Sequence, residues 1–195
     1  MVTGRALSKT FVVVASLLAA ALTLYAQAPK GWFLAGSKPA LYETGVDPAN
    51  MYSGMPSAYL RSKQPHVEEG FGTLMQTVSP KDYLGRRVRF GAFVKSDSLE
   101  RWAGLWMRVD DTANPKIPLA FDNMQSRPIQ GTTGWKEYEV VLDVPPTAAD
   151  IAFGILLDGG GSTWISGVTV TEVGTNVPTT GTGPLQAPTN LDFTK

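Results

Sequence analysis

Four stretches of the chain place an apolar residue at every second position. Val88, Phe90, Ala92 and Val94 alternate with Arg87, Arg89, Gly91 and Phe93, and Ala103, Leu105, Met107 and Val109 alternate with Gly104, Trp106, Arg108 and Asp110. Tyr138, Val140, Leu142 and Val144 repeat the pattern, as do Ile151, Phe153, Ile155 and Leu157. Successive side chains of a strand point to opposite faces, so a period of two buries one face of each segment. This confines the chain to an all-β body. Further strands are expected at 32–36, 40–45, 58–63, 72–78 and 164–173, with one helical turn at 80–84. Gly131-Thr132-Thr133-Gly134 reads as a turn before Trp135, and Asp110–Pro115 as a polar loop. Asp158-Gly159-Gly160-Gly161-Ser162 reads as a tight connection that needs positive φ. Twenty Gly, fourteen Pro and only 17% charged residues suit a turn-rich β protein. About nine or ten short strands joined by turns point to an antiparallel β-sandwich, with a jelly roll favoured because it manages its edges with two packed sheets.

The composition removes several kinds of chemistry. There is no Cys, which excludes disulfides, thiol nucleophiles and Cys-ligated metals, and one His, His66, which excludes multi-His metal sites. Basic and acidic residues balance at 17 each, so no nucleic-acid partner is expected to be held by bulk charge.

Arg5 and Lys9 precede the apolar run Phe11–Tyr25, which is followed by Ala26-Gln27-Ala28. This order matches a secretory signal peptide, cleaved after Ala26, and the run falls short of the roughly 20 residues that span a bilayer. An uncleaved N-terminal anchor is the alternative. The expected organisation is a signal peptide at 1–26, a sandwich at 27–173 and a Thr/Gly/Pro-rich, weakly ordered tail at 174–195. A secreted or periplasmic location follows, with no membrane span after cleavage.

The stretch GTTGWKEYEVVLDVPPTAADIAFG, 131–154, resembles a passage of galactose-binding-like jelly rolls, and Tyr83–Lys95 resembles an upstream strand of the same modules. The resemblance covers about 31–173 and implies a fold shared with carbohydrate-binding modules. Segments with Trp102–Trp106 and Phe121–Met124 are also similar to bacterial chains labelled transcriptional regulators. No helix-turn-helix pattern accompanies them, so such a label reads as borrowed. Many such jelly rolls carry a structural calcium between an early loop and an Asp near the final strand. Here Ser166 follows Trp164-Ile165 where an acidic residue is expected, so no cofactor is assigned and a structural calcium is left open but disfavoured.

Sugar binding needs a flat aromatic platform beside planar polar groups. Trp106 alternates away from the Leu105/Met107/Val109 face and shares its side with Arg108 and Asp110. It is either a platform or core. Trp102 sits at a strand start, where it either meets ligand or plugs the sandwich; Trp135 and Trp164 are expected to plug. Asp122 and Asn123, with Gln125 beside Arg127, could bond hydroxyls or satisfy turn amides. The candidate ligand-binding residues are therefore Trp106, Arg108, Asp122, Asn123 and Trp102. Arg87 and Arg89 are expected to pair with Glu137 and Glu139 rather than bind an anion. The doublets Glu68-Glu69 and Asp110-Asp111 point to opposite faces of a strand and cannot converge on one substrate. The reading is an exported, non-catalytic module for carbohydrate or glycan. The alternative is a structural or protein-interaction module of the cell envelope, with a protein partner and no sugar site.

Overall fold

The computed structural model describes residues 27–112 and 116–181. The expected signal peptide, the end of the Asp110–Pro115 loop and the tail from residue 182 lie outside the described residues. The strands are β1 (Phe33–Gly36), β2 (Tyr42–Tyr52), β3 (Met55–Ser62), β4 (Phe71–Val78), β5 (Arg86–Asp110), β6 (Ala120–Asp122), β7 (Ile129–Val144), β8 (Asp150–Asp158) and β9 (Ser162–Val173). A 3-10 turn, Pro39–Leu41, precedes β2. Every strand pairing is antiparallel.

The two expected strands at 87–94 and 103–110 are halves of one 25-residue strand, β5. Its first half pairs with β7 and β9, and its second half with β8 and β6. Ser98 takes left-handed backbone, φ 52°, between the halves, and the register against β7 shifts repeatedly between Val94 and Ala103. β5 thus bends from one layer of the sandwich into the other. One layer runs β1-β4-β8-β5-β6, and the other runs β7-β5-β9-β3-β2.

The alternating apolar residues meet between the layers. Val88, Phe90, Val94, Ala103, Leu105, Met107, Val109, Val140, Leu142, Ile151, Ile155 and Leu157 are buried in one cluster. The Phe90 ring lies 5.0 Å from that of Phe153 across the layers. Burying a large apolar side chain of this kind contributes about 1.5–3 kcal/mol, so the period-two segments supply the main driving force for the fold.

Local departures from the sequence reading have local causes. Residues 131–134 lie within β7 rather than in a turn, because Gly131 (φ 63) absorbs the mismatch where β7 follows the bend of β5. Residues 80–86 form successive turns, with Tyr83 N–H to Pro80 O at 2.8 Å and Arg86 N–H to Tyr83 O at 2.9 Å, and no helix. The β2–β3 hairpin is longer than expected and closes at Ser53-Gly54, both at positive φ, as a two-residue hairpin turn requires.

The first residues of the tail are held. Thr180 N–H donates to Val141 O at 2.9 Å, and Val141 N–H donates to Thr180 Oγ1 at 2.8 Å. Arg87 donates to the carbonyls of Thr175 and Val177 at 2.9 and 2.6 Å and pairs with Asp143 at 2.8 and 3.0 Å. Arg89 lies 2.9 Å from Glu139. The basic run therefore serves ion pairs and the tail.

Candidate functional site

Each layer turns a second, aromatic face outward. On the β1-β4-β8-β5-β6 layer, Trp102, Gly104, Trp106, Arg108 and Asp110 share the outer side of β5. Trp106 is only 9% exposed and sits in an apolar cluster with Ala152 and Leu156, against Phe71, Met75, Trp102 and Phe121. Its Nε1 donates to Thr73 Oγ1 at 2.7 Å. Thr73 belongs to β4, and β8 lies between β4 and β5, so the indole spans β8 at the level of Gly154. It is core to this face, outside the main cluster.

The structure brings Trp102, Trp106 and Arg108 onto one face but separates Asp122 from them. Asp122 pairs in register with Met107, on the interior side. Its carboxylate accepts from Arg127 at 3.1 and 2.5 Å and from the Met124 amide at 2.8 Å. Asn123 Oδ1 accepts from the Gln125 amide at 3.1 Å, as a turn residue does. Arg108 donates to Asp110 at 2.8 and 2.7 Å, and Trp102 Nε1 donates to Asp158 at 3.0 Å. Burial and the neighbouring Asp110 push the Asp150 carboxyl up from its ordinary value.

The outer face of the β7-β5-β9-β3-β2 layer is different in kind. The β2–β3 hairpin end folds over it, so that Tyr52 stacks on Phe93 with centroids 3.9 Å apart and tilts against Trp135 at 5.7 Å. Trp164 lies mid-sheet, in register with Lys95 on one side and Tyr59 on the other. Lys95 Nζ stands 5.1 Å from the Trp164 ring and donates to Asn50 Oδ1 at 2.6 Å. The Arg61 guanidinium is 4.7 Å from the Tyr59 ring and pairs with Glu43. A Cβ on Gly45 would lie 2.9 Å from the Tyr59 ring, so the glycine leaves room for the ring to lie across β2.

Asp47 organises this face. Its carboxylate accepts the amides of Ala49 (2.9 Å) and Asn50 (3.2 Å), Asn50 Nδ2 (2.8 Å) and Trp164 Nε1 (2.8 Å). The Asn50 side chain first, and then Trp164 and the two amides, outweigh burial and hold its pKa below the ordinary 3.8. A carboxylate with a depressed folded pKa contributes stability that is present above its unfolded value and lost as pH falls through the folded one. Titrating from pH 6 to pH 2 is expected to loosen the hairpin from Trp164 below pH 3.8, read as a change in Trp164 indole N–H chemical shift; Asp47→Asn removes that titration.

The sequence reading missed this face. Trp135 and Trp164, expected to plug sandwich ends, stand on it, and Tyr52, Tyr59, Asp47, Asn50 and Lys95 were not singled out. Phe93 and Lys95 at outward positions of β5 were the available signal. The hairpin end that brings Tyr52, Asp47 and Asn50 over them depends on register across β2 and β3, which one sequence does not display.

No protein-family model matches the chain. A protein of Bacillus subtilis strain 168 named as an uncharacterised HTH-type transcriptional regulator, YbfP, is 43% identical over 168 residues, covering 84% of this chain and 56% of that protein. The chain thus spans little more than half the length of this curated relative. The CBM22-1 xylan-binding domain from Paenibacillus barcinonensis Xyn10C matches with a TM-score of 0.53 at 12% identity, covering 76% of this chain and 90% of that one. The C-terminal family 22 carbohydrate-binding module of Clostridium thermocellum Xyn10B matches with a TM-score of 0.52 at 16% identity, covering 77% and 91%. The chain has the antiparallel β-sandwich fold that these carbohydrate-binding modules share.

Proposed function

We propose that the chain is an exported, non-catalytic binding module for carbohydrate, and that the outer face of the β7-β5-β9-β3-β2 layer takes the ligand. The observation that carries this is the convergence of Tyr52, Trp135 and Trp164 with Asp47, Asn50 and Lys95 on one solvent-facing sheet. Aromatic rings stack on the apolar face of a pyranose, and amide, carboxylate and ammonium groups bond its hydroxyls. Neutral, polyhydroxylated ligands fit a face on which Glu43 is paired with Arg61, and Glu139 with Arg89. The similar xylan-binding domain supports the ligand class. Export rests on the Arg5-to-Ala28 pattern.

Affinity electrophoresis through gels containing soluble xylan, β-glucan or galactan tests the reading. Retention by at least one polysaccharide is expected. Trp135→Ala is expected to weaken it about tenfold or more with little change in Tm, since a single aromatic anchor can supply 2 kcal/mol or more of binding. Free migration in every gel contradicts the proposal.

A second reading places the ligand on the Trp102/Arg108 face, which Arg108 and Trp102, both partly exposed, favour. Trp102→Ala in the same gels separates the two. The name of the Bacillus relative does not argue for DNA binding here. Among the described residues the only helical element is Pro39–Leu41, whereas a helix-turn-helix needs two α-helices.

A further inference from the structure

The end of the β2–β3 hairpin lies over the proposed ligand face but is weakly tied to the sheet. β2 and β3 pair in register from Tyr42/Ser62 to Asp47/Ser57, and then only at Tyr52/Met55, so residues 48–51 stand opposite Pro56 alone. Neither Pro48 nor Pro56 has an N–H to give to a ladder. The amides of Ala49 and Asn50 turn back to the Asp47 carboxylate, at 2.9 and 3.2 Å. The base of the hairpin is anchored, since Ser166 Oγ of β9 donates to Pro56 O at 3.1 Å. Beyond that base, no residue from 48 to 55 enters either buried cluster, and Met51 and Met55 are exposed. A segment with so few buried apolar contacts opens more readily than the sheet beneath it.

Two side-chain contacts hold this tip down. Tyr52 stacks on Phe93 of β5, with centroids 3.9 Å apart, and meets Trp135 at 5.7 Å. Asn50 Oδ1 accepts from Lys95 Nζ at 2.6 Å, while Asn50 Nδ2 donates to Asp47 at 2.8 Å. The second contact bears on the site. The Lys95 ammonium that reaches Asn50 also stands 5.1 Å from the centre of the Trp164 ring, inside the range of about 6 Å over which a cation is drawn to an indole face. The surface on which a pyranose would stack at Trp164 is thus taken by the chain's own lysine, and the tip keeps that lysine there. Ring stacking and a cation on an indole are each worth enough to shift a closed-to-open ratio by about two- to tenfold, so two such contacts hold the tip closed without making it rigid.

We infer that residues 48–55 form a lid on this face, and that Lys95 must leave the Trp164 ring before a sugar can stack there; the second half rests on the carbohydrate reading proposed above. The lid is tested without sugar, by the relaxation that a neutral gadolinium chelate in solution induces at each indole N–H. Each variant is read at the tryptophan of the other contact: Asn50→Ala at Trp135, and Phe93→Ala at Trp164. If the tip moves as one piece, both signals are expected to gain exposure, with Trp106 unchanged. A gain confined to the tryptophan of the altered contact, or no gain in either variant, overturns the lid; Asn50→Ala decides alone if Phe93→Ala does not fold. The gating is tested in the polysaccharide gels. The chain has no cysteine, so in Asn50→Cys/Lys95→Cys a short thiol-reactive linker cleavable by reductant joins tip to sheet at one place. The linked protein is expected to lose retention about tenfold or more, because a site that stays closed binds only in proportion to its open fraction, and reductant is expected to restore it. Equal retention with and without the link overturns the gating. So does loss of retention in the unlinked double variant, which would make the two side chains ligand contacts rather than a latch. Free migration of the unmodified protein in every gel overturns the carbohydrate reading and the gating with it, while the relaxation measurement still decides the lid.

Discussion

Trp106→Ala is expected to lower the free energy of unfolding by about 3–5 kcal/mol, the range for truncating a buried aromatic. The indole is enclosed by Phe71, Met75, Ala152, Leu156 and Phe121 and bonded to Thr73. Its loss opens a cavity across β8 and leaves the Thr73 hydroxyl with only its bond to Ile155 O, at 2.9 Å. Urea denaturation is the measurement: the midpoint should fall with an unchanged m-value. A loss below about 1 kcal/mol, typical of surface sites, would show that Trp106 is a ligand platform that the fold does not need. Carbohydrate retention by this variant, measured below its own Tm, is expected to survive.

The second large effect concerns the residue opposite Trp106. Gly154 sits in β8 between Met75 of β4 and Trp106 of β5. A Cβ there would lie 2.2 Å from Leu74 O and 2.9 Å from Met75 Cα. Both are backbone atoms of a central strand pair, so no side chain can swing aside. Gly154→Val must push β4 from β8 or tilt the indole off Thr73, and is expected to cost about 3 kcal/mol. Gly154→Ala should cost less in the same direction. A valine variant as stable as the parent in urea would mean that the β4–β8 contact is looser than described.

These two positions also show what a single sequence discloses. The interior was legible: Val88 to Val94, Ala103 to Val109 and Ile151 to Leu157 bury the alternating residues as the period demands. Alternation says which side of a strand is apolar, because neighbouring side chains diverge. It does not say how far a strand continues. The Ser96–Trp102 stretch of β5 breaks the alternation where the strand changes layers, so one long strand read as two. Three-residue β6 is too short for any period.

The site was less legible for a related reason. Trp102, Trp106 and Arg108 share a face, as their even spacing requires, but the depth of Trp106 is set by Leu156, Phe71 and Phe121 from other strands. Asp122, whose place near a strand end beside Arg127 suits either a sugar hydroxyl or turn amides, is turned inward by its pairing with Met107 and held by Arg127 and the Met124 amide. The richer face joins Asp47, Asn50 and Tyr52 of β2 to Phe93, Lys95, Trp135 and Trp164 on three other strands of a five-strand layer whose order, β7-β5-β9-β3-β2, is not the order of the chain.

The chain has five tryptophans, Trp32, Trp102, Trp106, Trp135 and Trp164, divided among the interior and the two faces. Their indole N–H resonances, followed by nitrogen-15 correlation spectra during a titration with xylohexaose or with the best oligosaccharide from the gel panel, therefore report where sugar lands. Saturable shifts at Trp135 and Trp164, with Trp106 unmoved, are the expected result. Shifts confined to Trp102 and Trp106, or five stationary signals across the whole panel, would contradict it.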